Sequence, residues 1–226
     1  MNRTIKTLLI LSTLFLPIAF LGGEPASARG FYYLIWLYLF ALFTRKQSFF
    51  ENLVNQIPFS DATKFIGLGI LMIVIEETIA SLAVNILSYP SPLELFNITL
   101  QFYANNLLLL PGFIIAWYFL LKKINYTKRE VFILVGIFGL FAEKTILHVI
   151  LIFPFGLALV LPTMFTYMGI IAPSLLSLKQ VGTKELSKTL RYALGLLLPI
   201  LCSVPFLIIH TILVQAGYID VTVLTK

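Results

Sequence analysis

Residues 65–87 constrain this chain more than any other stretch. The run is free of charge except for two adjacent glutamates, Glu76 and Glu77, at its middle. At about 1.5 Å of rise per residue, a helix of this length crosses the ~30 Å hydrocarbon core of a bilayer. A carboxylate at that depth costs about 3 kcal/mol or more unless it is paired, protonated or hydrated. Two neighbouring carboxylates in a dry interior repel each other, so one of them is expected to hold a proton. A carboxyl in that state suits a general acid or a proton carrier.

The rest of the chain agrees with a membrane setting. Of 226 residues, 59% are hydrophobic and 12% charged, against about 25% charged in soluble domains. The expected fold is an all-α polytopic transmembrane helix bundle, a single integral membrane domain over residues 1–226. The net charge of +6 does not point to nucleic acid, because Lys and Arg fall in loops that the positive-inside rule places in the cytoplasm. Cys202 is the single cysteine, which excludes an internal disulfide and a cysteine metal cluster. No internal repeat of the kind found in inverted-repeat transporters is visible.

Taken in order, residues 1–28 read as a first transmembrane helix or as a cleaved signal peptide, since Ala26-Ser27-Ala28 resembles a signal-peptidase site. The next apolar run begins almost at once, which favours the helix. Residues 31–44 form a second span, short unless it extends back past Gly30, and Arg45-Lys46 holds its inner end. Residues 47–58 read as an interfacial amphipathic helix, with Phe49, Phe50, Leu53, Val54 and Ile57 on one face and Pro58 as its stop. Ser60-Asp61 suits the cap and first turn of the span that follows. Further spans are expected at 65–87, 101–121 with a kink at Pro111-Gly112, 131–153, 157–178 with kinks at Pro162 and Pro173, and 192–214. Ser88-Tyr89-Pro90-Ser91-Pro92 and Pro154-Phe155-Gly156 are the outer turns. This makes about seven spans, with the N-terminus inside and the C-terminus outside. All of the 16 Lys and Arg then lie inside except Arg29, Lys144 and Lys226.

These boundaries set depths. Glu76, Glu77, Glu143 and Lys144 fall at mid-membrane, and Asn105, Asn106, His148 and His210 lie roughly 7–10 Å nearer the outer face, with Asn85 further out still. Glu77, Ser81 and Asn85 share one face of their helix, and Lys144 and His148 share another at a spacing of four. A plain structural role fits each His or Asn alone, as interhelical glue, and Lys144 can pair with Glu76 or Glu77 as a buried bridge. The doubled charge of Glu76-Glu77 is harder to explain by packing alone. A divalent metal such as zinc could be held by His148 and His210, with a glutamate activating water. No His-Glu-x-x-His motif, Ser-His-Asp set or phosphate-binding glycine loop is present.

The order of a glutamate pair, then Glu143, His148 and His210 on later spans resembles the glutamate-dependent intramembrane proteases, namely the CAAX prenyl protease/bacteriocin-processing superfamily or the PrsW-type group. In the first, Glu-Glu-x-x-x-Arg is followed by Phe-x-x-x-His and His-x-x-x-Asn. Here Ser81 stands where the arginine would be, Lys144 precedes His148 in place of Phe, and Val214 follows His210. Gly139-Leu140-Phe141-Ala142-Glu143 is similar to the second motif of the PrsW-type group. The resemblance implies Glu76, Glu77 and Glu143 as catalytic carboxylates, His148 and His210 as metal ligands or transition-state stabilisers, and a membrane-embedded peptide as substrate. Read from the residues alone, a proton- or ion-coupled transporter moving a small ion and a non-catalytic membrane subunit remain open. The lipid bilayer, in the cell membrane, is the expected partner in every case.

Overall fold

The computed structural model describes residues 3–20, 26–85, 91–151, 153, 155–178 and 182–220. The signal-peptidase-like segment at 23–25, the outer turn at 88–90, Pro154, Lys179 and the tail at 221–226 lie outside the described residues. Within them the chain is all-helical, and its residues cluster into two compact units, Met1–Pro58 with Thr127–Ser177 and Phe59–Tyr126 with Leu178–Lys226.

The first unit contains α1 (Arg3–Phe20), α2 (Ala26–Arg45), α3 (Gln47–Gln56), α7 (Lys128–Ala142), α8 (Thr145–Leu151) and α9 (Phe155–Leu176). Helix α2 extends back past Gly30, as its short apolar run suggested, and α3 stops just before Pro58. Thr127 opens α7 with a capping box: its side chain accepts from the Glu130 backbone N–H, and the Thr127 N–H donates back to the Glu130 carboxylate at 2.9 Å. Helix α9 is the interior element, with 72% of its most apolar window buried. Its Phe165 ring lies 5.1 Å from Phe40, which also meets Phe132 at 5.6 Å. It runs unbroken through Pro162 and Pro173.

The second unit contains α4 (Asp61–Asn85), α5 (Pro92–Asn106), α6 (Pro111–Lys123) and α10 (Lys188–Gln215). Ser60 caps α4 by accepting from the Thr63 N–H at 3.1 Å, and Asp61 occupies the first turn as its dipole favours. Ser91 caps α5 ahead of Pro92. Helix α6 packs between α4 and α10, with Phe113, Ile114, Ala116 and Trp117 buried. The contact with α10 is close enough that a Cβ at Gly112 would fall on the Cys202 carbonyl.

Three helices among the described residues are long and apolar enough to cross a membrane: the Asp61–Ala83 part of α4, the Gly156–Leu176 part of α9, and α10. Up to five spans result if the bent pairs α5–α6 and α7–α8 each count as one. This is fewer than the seven expected. The apolar part of α2, Gly30–Arg45, is short. The span expected at 131–153 is not one helix, because it breaks at Glu143-Lys144 and bends by 69°. The span expected at 101–121 starts earlier, at Pro92, and bends by 44° before Pro111. Helix α10 presents Leu197, Leu201, Ile208 and Ile212 outward, each more than half exposed, and only 6% of its window is buried. Such a surface is stable when hydrocarbon is the solvent.

The α6–α10 contact yields a direct test. Gly112→Ala should destabilise the detergent-solubilised protein by roughly 1–3 kcal/mol through overpacking. Gly67→Ala, on α4 with no atom within 4 Å of the added Cβ, should be neutral or stabilising by about 1 kcal/mol. Thermal unfolding of both variants beside the wild type measures the contrast.

Candidate functional site

Each unit carries its own set of intramembrane polar groups. Glu76, Glu77, Asn85, Asn105, Asn106 and His210 belong to the second unit, and Glu143, Lys144 and His148 to the first.

In the second unit, Glu76 and Glu77 lie on α4 about 23 Å along an axis of about 37 Å. They are 7% and 3% exposed. The face predicted from spacing is buried throughout, with Ser81 at 0% and Asn85 at 2%. Hydroxyls from α5 complete it. Tyr103 Oη lies 2.7 Å from Thr78 Oγ1, and Thr99 Oγ1 lies 2.8 Å from Ser81 Oγ. Thr78 also donates to the Val74 carbonyl and Asn85 Nδ2 to the Ser81 carbonyl. Two carboxylates are thus followed, turn by turn, by interhelical hydroxyl pairs.

The opposite edge of α5 serves α10. Asn105, 1% exposed, sets its Oδ1 2.9 Å from His210 Nε2 and donates through Nδ2 to the Gln101 carbonyl at 2.9 Å. After α10 ends, Gly217 takes φ +77 and turns the chain back, a conformation that favours glycine. Ile219 is then buried, and the Asp220 N–H donates to Gln101 Oε1 at 3.0 Å. Asn106 is half-buried, and its carbonyl accepts from the Leu109 and Leu110 N–H groups where α5 gives way to the bend.

In the first unit, Glu143 and Lys144 do not sit inside a continuous helix. They form the break between α7 and α8, Lys144 has φ +52, and both are exposed. The expected shared face of Lys144 and His148 is therefore absent, because only His148 is helical; its side chain lies outside the described set. Tyr167 on α9 donates to Glu143 Oε1 at 2.9 Å, over Gly139, where a Cβ would strike the tyrosine ring. Just past the break, Thr145 lies 3.2 Å from Thr163, which meets Tyr33 at 3.0 Å, and all three are buried.

Among the described residues no three His, Cys, Asp or Glu side chains converge as a metal-ligand set, and His210 Nε2 is engaged by an amide. His148, the other expected ligand, has a side chain outside the described residues. Sequence reasoning passed over Thr99 because it began that span at Gln101, and Tyr103, inside the span, was not singled out. Their spacing of four, facing Thr78 and Ser81 at a spacing of three, was the available signal. Tyr33, Tyr167 and Thr163 carried no motif at all.

The α4–α5 hydroxyl pairs should be energetically coupled. A double-mutant cycle of Thr78→Val with Tyr103→Phe, read by unfolding in detergent, should give a coupling of about 0.6 kcal/mol and at most about 1.7 kcal/mol, the range found for such bonds in membranes.

Compared with protein-family models, with curated proteins and with solved structures, the chain finds no match.

Proposed function

We propose that this chain is a multi-pass protein of the cell membrane that exchanges protons or small cations through Glu76 and Glu77. The observation that carries this reading is the burial of two adjacent carboxylates inside a span, 7% and 3% exposed, within about a turn along α4 of the residues that form hydroxyl pairs with α5. Carboxylates are retained at such depth when they bind a proton or a cation, and hydroxyl and carbonyl oxygens are suitable further ligands. Intramembrane acids on a helix interface are the usual elements of ion pathways.

The arrangement in the membrane is read as seven spans with the N-terminus inside, which keeps all Lys and Arg but Arg29, Lys144 and Lys226 on the inner side. Thr183, on the α6–α10 side of this scheme, is then cytoplasmic, and Tyr218 external. In a Cys202→Ser background, Tyr218→Cys should react with an impermeant maleimide in intact cells. Thr183→Cys should react only after permeabilisation. The reverse pattern overturns the orientation.

A second reading is intramembrane hydrolysis of a peptide, with Glu76 or Glu77 activating water. One observation favours it. The sequence lacks the asparagine four residues after His210 that the resembling proteases carry, yet Asn105 meets His210 from another helix at 2.9 Å. An imidazole held by an amide is suited to stabilise a tetrahedral oxyanion.

Reconstitution separates the readings. With the protein in vesicles, an imposed sodium or potassium gradient should drive a change in internal pH at least about tenfold faster for wild type than for Glu77→Gln, a difference equivalent to about 1.4 kcal/mol. Equal rates with and without the glutamate sink the proposal. If membrane-peptide cleavage instead disappears in Glu76→Gln and Glu77→Gln, the hydrolase reading replaces it. If neither activity depends on the pair, the carboxylates serve only packing.

A further inference from the structure

In the second unit, cations collect where α4 begins and α6 ends, and their number exceeds the carboxylates that meet them. Lys64 lies one turn into α4 and is 5% exposed. Among the described residues no side chain forms an ion pair or hydrogen bond with its ammonium. Asp61, on the same face at a spacing of three, is already bridged to Lys122 at 3.6 Å. The Lys64 stem is buried while its ammonium is not among the fully buried, unpartnered polar atoms, so the charge keeps a path to the surface, where a cation near the N-terminal end of a helix is opposed by the helix dipole. The preference for basic residues on the inner face explains exposed lysines in loops; it does not call for one whose stem is packed into the fold.

The neighbouring connector is folded, not loose. The Gly182 N–H donates to the Leu121 carbonyl at 2.7 Å, the Lys184 N–H to the Lys123 carbonyl at 3.3 Å, and the Asn125 N–H to the Lys184 carbonyl at 3.1 Å. Gly182 is needed there, because a Cβ would fall on the Lys123–Ile124 backbone. This clasp fixes Lys184 beside Lys123, both exposed. Glu185 does not neutralise them, since its carboxylate accepts from Asn125 at 2.6 Å and pairs with Arg191 at 3.6 Å. Among the described residues Asp61, paired with Lys122, is the one carboxylate ion-paired with a lysine at this corner, against the four lysines Lys64, Lys122, Lys123 and Lys184.

We propose that this corner binds the phosphate of an anionic phospholipid, with Lys64 as its anchor and Lys123 and Lys184 at its rim. Depth and surroundings favour a lipid over a free anion. The apolar span begins at Asp61, so Lys64 lies about 4–5 Å inside it, at the boundary between headgroups and acyl chains. Phe119, one turn before Lys123 on α6 and 51% exposed, offers the apolar surface that an acyl chain would cover.

The test uses the full chain in nanodiscs of phosphatidylcholine with increasing phosphatidylglycerol, with unfolding followed by tryptophan fluorescence; Trp117 lies buried in α6. The wild-type Tm should rise and saturate as the anionic fraction grows. Lys64→Met should raise the half-saturating fraction by about fivefold, the contribution of one basic residue at an anionic surface. Lys64→Arg should titrate like wild type. Lys123→Gln with Lys184→Gln should raise the half-saturating fraction at least as much as Lys64→Met, and this pair carries the test if Lys64→Met does not fold. Lys128→Gln, in the other unit, should leave the titration unchanged. The proposal is overturned by a wild-type Tm that does not saturate, or by Lys64→Met and the double variant titrating like wild type. If inorganic phosphate in neutral nanodiscs reproduces the whole rise, the lipid assignment fails and the corner is a free-anion site.

Discussion

Hydrocarbon offers no hydrogen bonds, and the backbone of a chain this apolar answers to that first. Backbone N–H and C=O groups are satisfied within helices, the arrangement that a chain so apolar can sustain in a bilayer. Several polar side chains on the helices are then paired with carbonyls one turn back or with hydroxyls on a neighbouring helix, though Ser12, Trp36, Trp117 and Ser174 are buried without such a partner. Thr78 does both, donating to Val74 and meeting Tyr103. Ser81 and Thr99 repeat the second of these bonds about one turn along. Against that background two buried carboxylates side by side are an expense that packing alone does not explain. The hydroxyl pairs beside them hold α4 to α5 and line the same face with oxygen.

Close approach between helices serves the same end. Gly112 lets α6 press on the α10 backbone at Cys202, and Gly139 lets Tyr167 lie over α7, where its hydroxyl reaches Glu143. In a membrane the association of helices gains little from expelling lipid, so van der Waals contact and interhelical hydrogen bonds carry it. A glycine at the contact allows both. The polar groups of α10 follow this logic, because His210 reaches Asn105 from a helix whose remaining surface faces outward.

How much of this was legible depended on period and on punctuation. The helical spacing of Glu77, Ser81 and Asn85 placed them on one face, and all three are buried. Ser60-Asp61 announced the start of α4, and Pro111 marked the bend between α5 and α6. Pro92 misled, because a proline after Ser91 reads equally as part of a turn and as the first residue of a helix; it is the latter, and α5 gained the turns that carry Thr99. The break at Glu143-Lys144 left no mark. Neither residue is Gly or Pro, and the left-handed conformation at Lys144 is one that a non-glycine residue adopts at a cost only surrounding structure can impose. The hydroxyl cluster of Tyr33, Thr145 and Thr163 joins residues far apart in sequence, and no local pattern reports such a meeting.

In the proposed orientation the break also bears on where Glu143 and Lys144 lie. Read as part of one straight span they fell at mid-membrane, where two exposed charges and an interrupted backbone would face hydrocarbon. In the proposed orientation α7 starts at the inner surface with Lys128, and its 15 residues advance about 22 Å. The outer boundary of a ~30 Å core is then about 8 Å further on. A lysine side chain covers much of that distance by extending its charged end toward the headgroups while its methylenes stay in hydrocarbon. Glu143 turns the other way, toward the Tyr167 hydroxyl. In that orientation both residues, exposed in the structure, lie between the middle of the membrane and its outer boundary. The paired acids of α4 are buried where Glu143 is exposed, which is why they and not Glu143 are the centre of the functional reading.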